Sequence, residues 1–137
     1  VDTDQPLVKG SAMAAQVNPV NWFEVPAADL DRAKAFYEHV LGVSLTRNDM
    51  GPLQMAWFPM NEDAPGACGT LVKADGYEPS MTGTVVYFPV PDIEAALARA
   101  EAKGGKTLAP KTSIGEYGFI AHFQDSEGNR VALHSQT

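Results

Sequence analysis

Phe23-Glu-Val-Pro-Ala-Ala-Asp-Leu-Asp-Arg-Ala-Lys-Ala-Phe-Tyr-Glu-His-Val-Leu-Gly42 and Tyr87-Phe-Pro-Val-Pro-Asp-Ile-Glu-Ala-Ala-Leu-Ala-Arg-Ala-Glu-Ala-Lys-Gly-Gly105 read as one unit written twice: a strand, a turn and a short helix. Sliding the first onto the second by 92 − 29 = 63 positions sets Asp29 on Asp92, Leu30 on Ile93, Ala33 on Ala96, Gly42 on Gly105 and Leu45 on Leu108. A long internal period in a short chain signals duplication, so the fold is what two such units build together. In each unit the aspartate is placed to cap a helix, because its carboxylate can accept from free amides of the first turn. Leu30, Ala33, Tyr37, Val40 and Leu41 fall on one helical stripe that ends at Gly42, and Ile93, Ala96, Leu97 and Ala100 form the matching stripe before Gly104.

The remaining chain supplies strands around these helices. Asn18 to Val25, Val43 to Thr46, Leu53 to Met60 and Ala67 to Lys73 read as the strands of the first unit, separated by the turns at Asn48–Pro52 and Asn61–Gly66. Thr84 to Val90, Lys106 to Leu108, Phe119 to Gln124 and Arg130 to Ser135 are those of the second, with Pro110 to Gly118 as a loop and Asp125-Ser-Glu-Gly-Asn129 as a turn. The expectation is an α+β fold of two tandem βαβββ modules, residues 18–73 and 83–136, in a single domain spanning 17–137. Residues 74–82 are a joint within that domain. Two curled four-stranded sheets with their helices outside leave a shared cup, a plausible small-molecule site. Residues 1–16 show no sustained period and read as a flexible tail or expression remnant.

At 137 residues and 45% hydrophobic the chain can bury a core without staples. The single cysteine, Cys68, forms no internal disulfide and suggests a reducing, cytoplasmic setting. A formal charge of −7 opposes binding to phosphate backbones, and no Lys/Arg cluster interrupts it. No apolar run approaches the roughly 18 residues of a membrane span, nor is there a signal-peptide layout at the start. Neither nucleic acid nor membrane is therefore expected as a partner. Phosphate loops, nucleophile elbows and cysteine–histidine motifs are missing, so nucleotide hydrolysis and acyl transfer have no support.

The doubled order, the run from Pro26 to Gly42 with Phe36-Tyr37 and Leu41-Gly42, and the closing stretch Gly118 to His134 with Asp125-Ser-Glu-Gly-Asn-Arg130 resemble the vicinal oxygen chelate superfamily. That superfamily holds glyoxalases, extradiol dioxygenases, fosfomycin-resistance enzymes and bleomycin-binding proteins. The resemblance implies a divalent metal held by His, Gln or Glu near the start of each module's first strand and near the end of its fourth, polarising adjacent substrate oxygens. Those positions fall on Trp22 (with Asn21 and Phe23 as register alternatives), on one of Cys68, Thr70 or Lys73, on Val85 and on Ala132. The usual metal set is absent, and no cofactor is expected, with a divalent metal as the alternative. Relatives of this kind are often homodimers, which makes a homodimer the expectation here.

Alternation along the strands selects the other candidates. Arg130, Ala132 and His134 share one face of the last strand, so His134 shares the cup side if Ala132 faces it. His122 shares a face with Ile120 and Gln124 whose direction the sequence leaves open, and His122 with His134 forms the alternative two-histidine metal site. Glu24 alternates with Trp22 and, among aromatics, would have a raised pKa suited to a general base, or else would form a salt bridge across the sheet. Trp22, Trp57, Phe58 and Tyr87 supply aromatic surface, part of it ordinary core, and Tyr87 is the counterpart of Glu24 under the repeat. The segment Pro110–Gly118, with Tyr117, reads as a lid or as a surface crossover. Three functions compete: a metal-independent protein that binds an apolar or aromatic molecule in the cup, a lyase, isomerase or dioxygenase in which Glu24, His122 or His134 moves protons, and an interaction module with a residual cup.

Overall fold

The helices begin where the aspartates stand. In the computed structural model, which describes residues 18–137, Asp29 accepts from the Arg32 amide at 3.0 Å and Asp92 from the Ala95 amide at 3.0 Å. They open α1 (Leu30–Leu41) and α2 (Ile93–Ala102). Gly42 ends α1 in the left-handed region, at φ 68°, where a side chain would be strained. The tail reading of residues 1–16 lies outside the described residues.

The strands are β1 (Trp22–Pro26), β2 (Thr46–Arg47), β3 (Gln54–Trp57), β4 (Cys68–Lys73), β5 (Tyr87–Pro89), β6 (Lys106–Ser113), β7 (Phe119–Gln124) and β8 (Arg130–Ser135). They form two four-stranded sheets of identical plan, β1-β4-β3-β2 and β5-β8-β7-β6. In each, the first and fourth strands run parallel and the other pairs are antiparallel. Parallel strands cannot be joined by a hairpin, and in each module the helix opens the crossover, carrying the chain from the first strand to the far edge of the sheet, from which the second and third strands lead back to the fourth. The α+β fold of paired βαβββ modules is as the sequence implied.

Alternation divides each sheet between a helix-facing side and a helix-free side. Val25, Ala56 and Leu71 of the first sheet, and Phe88, Ala121, Phe123, Val131 and Leu133 of the second, join the helical stripes in one core that spans both modules. Phe36 is buried beside Tyr37, which widens the α1 stripe beyond the sequence reading. Phe23 packs against Phe58 at 5.5 Å and against Phe88 of the other module at 5.8 Å between ring centroids. Its ring fits because residue 69 is glycine: a Cβ there would lie within 2.6 Å of ring carbon Cε2.

A polar clamp closes the module junction. The buried Asp125 carboxylate accepts from the Tyr37 hydroxyl at 2.6 Å, from the Glu127 and Asn129 amides at 2.8 and 2.9 Å, and from the Asn129 side chain at 3.0 Å. Asn129 also donates to the Pro26 carbonyl at 2.8 Å and accepts from the Ser80 amide at 2.9 Å. Glu127 accepts from the Ala28 and Asp29 amides at 3.0 and 2.8 Å and pairs with Arg32 at 2.7 Å. The β7–β8 turn thus holds the start of α1, where free amides favour a carboxylate.

Two sequence readings are corrected. Strand β6 continues through Pro110 to Ser113, so residues 110–113 belong to the sheet and do not form a loop. Pro110 lies within a register shift between Ala109 and Thr112, and β6 is an edge strand, the setting in which a missing amide donor costs no ladder bond. The irregular segment after β6 contracts to a 3-10 turn, Gly115–Tyr117. Secondly, β1, β2, β3 and β5 are shorter than the runs that predicted them. Among the described residues no helix is long and apolar enough to cross a membrane.

Candidate functional site

On the helix-free side the sheet registers align one row of residues in each module. Glu24 is opposite Thr70 and Thr70 opposite Trp57; Tyr87 is opposite Ala132 and Ala132 opposite His122. Glu24 and Tyr87 therefore hold equivalent places on β1 and β5, as the 63-residue repeat implied. The register also decides the fourth-strand position, since the counterpart of Ala132 is Thr70.

Each module carries an aromatic bridge over its central strand, within the row in the second module and diagonal to it, from Trp22 opposite Cys68, in the first. Strands two apart in a sheet are separated by about 10 Å, so side chains on β5 and β7 meet only by leaning across β8. Tyr87 and His122 do so: their rings stand edge to face at 5.6 Å, with the Tyr87 hydroxyl 3.1 Å from His122 Nε2. Ala132 beneath them is fully buried. In the first module Trp22 and Trp57 meet edge to face at 5.1 Å across β4. Trp57 donates its indole N–H to the Asn48 carbonyl at 3.0 Å.

Strands β1 and β5 are edge strands that share no ladder, and a cavity of about 810 Å³ runs along the seam between them. Trp22, Glu24, Cys68, Val85, Tyr87 and Phe88 are in its wall. Of the residues the sequence singled out, Trp22, Glu24 and Tyr87 line this cavity together. Trp57 and His122 stand behind Trp22 and Tyr87 as their ring partners. His134 and Tyr117 are elsewhere: His134 Nε2 is 2.6 Å from the Tyr117 carbonyl and ties the 3-10 turn to β8, while the Tyr117 ring is exposed. A second hollow, about 790 Å³, lies under the connector at Lys73–Pro79 and has Tyr77 as the one aromatic residue in its wall.

The electrostatics of the wall are mostly acidic. Glu24 is exposed and, among the described residues, has no cationic partner. Its charge, more than burial, raises the pKa of the Tyr77 phenol, which approaches it from the connector. Burial first, and then the Arg130 charge, hold His122 below its ordinary pKa. Arg130 Nη1 is 3.1 Å from His122 Nδ1. That contact was missed by sequence reasoning, although Arg130 had been placed on the face of Ala132.

The four positions implied for metal ligands hold Trp22, Thr70, Val85 and Ala132. Their only side-chain oxygen donor is the Thr70 hydroxyl, which is buried and, among the described residues, without a hydrogen-bond partner. A set with no imidazole and no carboxylate does not fit a divalent cation. His122 already meets Tyr87 and Arg130 with its two nitrogens, and His134 meets the Tyr117 carbonyl. Among the described residues no group of three or more His, Cys, Asp or Glu is arranged to hold a metal.

Comparison with known proteins agrees with this architecture. Residues 19–133 match the model of the Glyoxalase/Bleomycin resistance protein/Dioxygenase superfamily. CFP32 of Mycobacterium bovis, provisionally named a glyoxylase, is 30% identical over 124 residues, which are 87% of this chain and 44% of that protein. The chain thus spans under half the length of that mycobacterial relative. A glyoxylase-like domain-containing protein of Didymella fabae is 28% identical over 83% of this chain and 91% of its own length. Among solved structures, a glyoxalase/bleomycin resistance protein/dioxygenase family enzyme from Burkholderia phytofirmans superposes with a TM-score of 0.65 at 17% identity, covering 85% of this chain and 98% of that one. TnmS3, an antibiotic binding protein from Streptomyces sp. CB03234, does so with a TM-score of 0.61 at 24% identity, covering 88% and 98%.

Proposed function

The chain belongs to the Glyoxalase/Bleomycin resistance protein/Dioxygenase superfamily, and on that premise we propose that it binds a flat aromatic small molecule in the seam cavity without a resident metal ion. The observation that carries this reading is the Tyr87–His122 bridge over Ala132. The place where the resemblance puts a carboxylate is roofed by aromatic rings. Trp22 and Phe88 give the cavity apolar faces against which a planar ring system can lie. TnmS3, an antibiotic binding protein, shares the fold, which supports small-molecule binding as a use of it.

Thermal-shift screening against planar aromatic compounds, in buffer with chelator and again with added nickel, zinc or manganese, tests both halves of the proposal. Stabilisation by aromatic compounds that does not depend on metal is the expected result. Elemental analysis finding a stoichiometric metal in purified protein would overturn the metal-free half. The acidic row position of Glu24 in the same wall supports a second reading, proton transfer on the bound molecule with Glu24 as base. Turnover that vanishes in Glu24→Gln while binding persists would establish it. We further propose a homodimer in the cytoplasm, which sedimentation and cell fractionation test directly.

A further inference from the structure

We propose that the ligand of the seam cavity carries a protonated amine beside its aromatic rings, and that the Glu24 and Glu78 carboxylates hold that ammonium group. The inference rests on the reading of the cavity as an aromatic-ligand site and adds the charge of its occupant. Two hollows follow one another along the seam. Val20, Trp22, Phe23 and Glu24 wall the aromatic one of about 810 Å³, while Glu24, Val25 and Pro26 wall a smaller one of about 230 Å³. Glu24, Thr84 and Val86 are in both walls, so the hollows adjoin at Glu24. Glu78, from the connector, stands in the wall of the smaller hollow. One end of the seam is therefore aromatic, with Trp22, Phe58 and Phe88, and the other end is acidic.

The sign of the charge follows from what the walls contain. Among the described residues, Glu24 is the one charged side chain around the aromatic hollow. Arg130 is in the wall of the smaller one, but its Nη1 is 3.1 Å from His122 Nδ1, and His122 is on β7, on the far side of β8 from the seam. Glu24 and Glu78 are both exposed and, among the described residues, have no cationic partner. A carboxylate or phosphate on the ligand would meet like charge there, whereas an ammonium group supplies the missing counter-charge. The rings add to the preference, because their faces attract a cation. Trp22 and Glu24 alternate on one face of β1 with Cα atoms about 7 Å apart, so an amine on a short linker reaches Glu24 while its ring lies against Trp22. The net charge of −7 draws cations toward the chain as a whole.

Calorimetric titration with 1-naphthylmethylamine, 1-naphthalenemethanol and 1-naphthaleneacetate, a cation, a neutral molecule and an anion on one ring system, tests the charge at nearly constant shape. The amine is expected to bind most tightly to the wild type at low salt, and the carboxylate most weakly. In the Glu24→Gln/Glu78→Gln double variant the amine should weaken about fivefold, the size of an exposed ion pair, while the alcohol binds as before. Molar salt should narrow the gap between amine and alcohol in the wild type. An amine preference that survives in the double variant, or an alcohol that binds the wild type as tightly as the amine, would overturn the role of the carboxylates while leaving the aromatic site intact. An equal loss of all three probes in the double variant would mark the carboxylates as structural and refute the assignment. Failure of all three to bind the wild type would overturn the cavity reading and this inference with it.

Discussion

Replacing Thr70 by valine should make the protein more stable, although it removes a polar group from the very row that lines the candidate site. Thr70 is fully buried on the helix-free face, and among the described residues its hydroxyl has no hydrogen-bond partner. A buried polar group left unmatched costs about 1–3 kcal/mol relative to its hydrated state in the unfolded chain. Valine has nearly the same shape, suits a strand equally well and substitutes a methyl group for the hydroxyl. The expected gain is about 1–2 kcal/mol, which at a slope of about 2 kcal/mol per molar urea moves the unfolding midpoint up by about 0.5–1 M. Thr70→Ser keeps the hydroxyl and loses the methyl, so the order of midpoints should be valine, threonine, serine. Urea unfolding followed by circular dichroism gives all three. A valine variant that unfolds at lower urea than the wild type would mean that the hydroxyl has a partner, and the argument from an unmatched group would fail.

The clamp at the module junction yields two more expectations. Tyr37→Phe removes a 2.6 Å bond to the buried Asp125 carboxylate and should cost about 2 kcal/mol in urea unfolding, the range for a bond to a charged group. For Glu127, burial raises the carboxyl pKa, but the Arg32 bond, the Asp29 amide and the Ser126 hydroxyl outweigh it and hold it below 4.5. Its stabilisation is accordingly complete above about pH 4.5, the unfolded value, and is lost as pH falls through the lowered folded value. Glu127→Gln should cost about 1 kcal/mol at neutral pH, discounted because Arg32 is half exposed. Its stability curve should approach that of the wild type in acid, as read from unfolding midpoints across pH 3–7.

The parts legible in the sequence are those that depend on neighbours a few residues apart. Asp29 and Asp92 act on amides three residues on, and the 63-residue offset aligned them without any structure. Glu24 and Tyr87 could be matched for the same reason. What escaped depends on pairing across strands. Pro110 looked like a loop because its edge position, which makes it tolerable in β6, is set by β7. The direction of His122 was open until β7 was registered against β8 and β5, and the role of Arg130 is defined by a ring on another strand. Glu127 read as a turn residue because its partners Ala28, Asp29 and Arg32 are nearly a hundred positions away.

The ring packing at the junction bears on how such a chain arose. Phe23 and Phe58 of the first module and Phe88 of the second touch one another, and Tyr37 touches both Phe58 and Phe88. Neither half can shield its share of these rings from water unaided. A half-length chain could cover them only by pairing with another copy of itself, and joining the halves in one chain keeps that partner always at hand. Once the halves were inherited as one message, their matching rows were free to diverge, glutamate in one and tyrosine in the other.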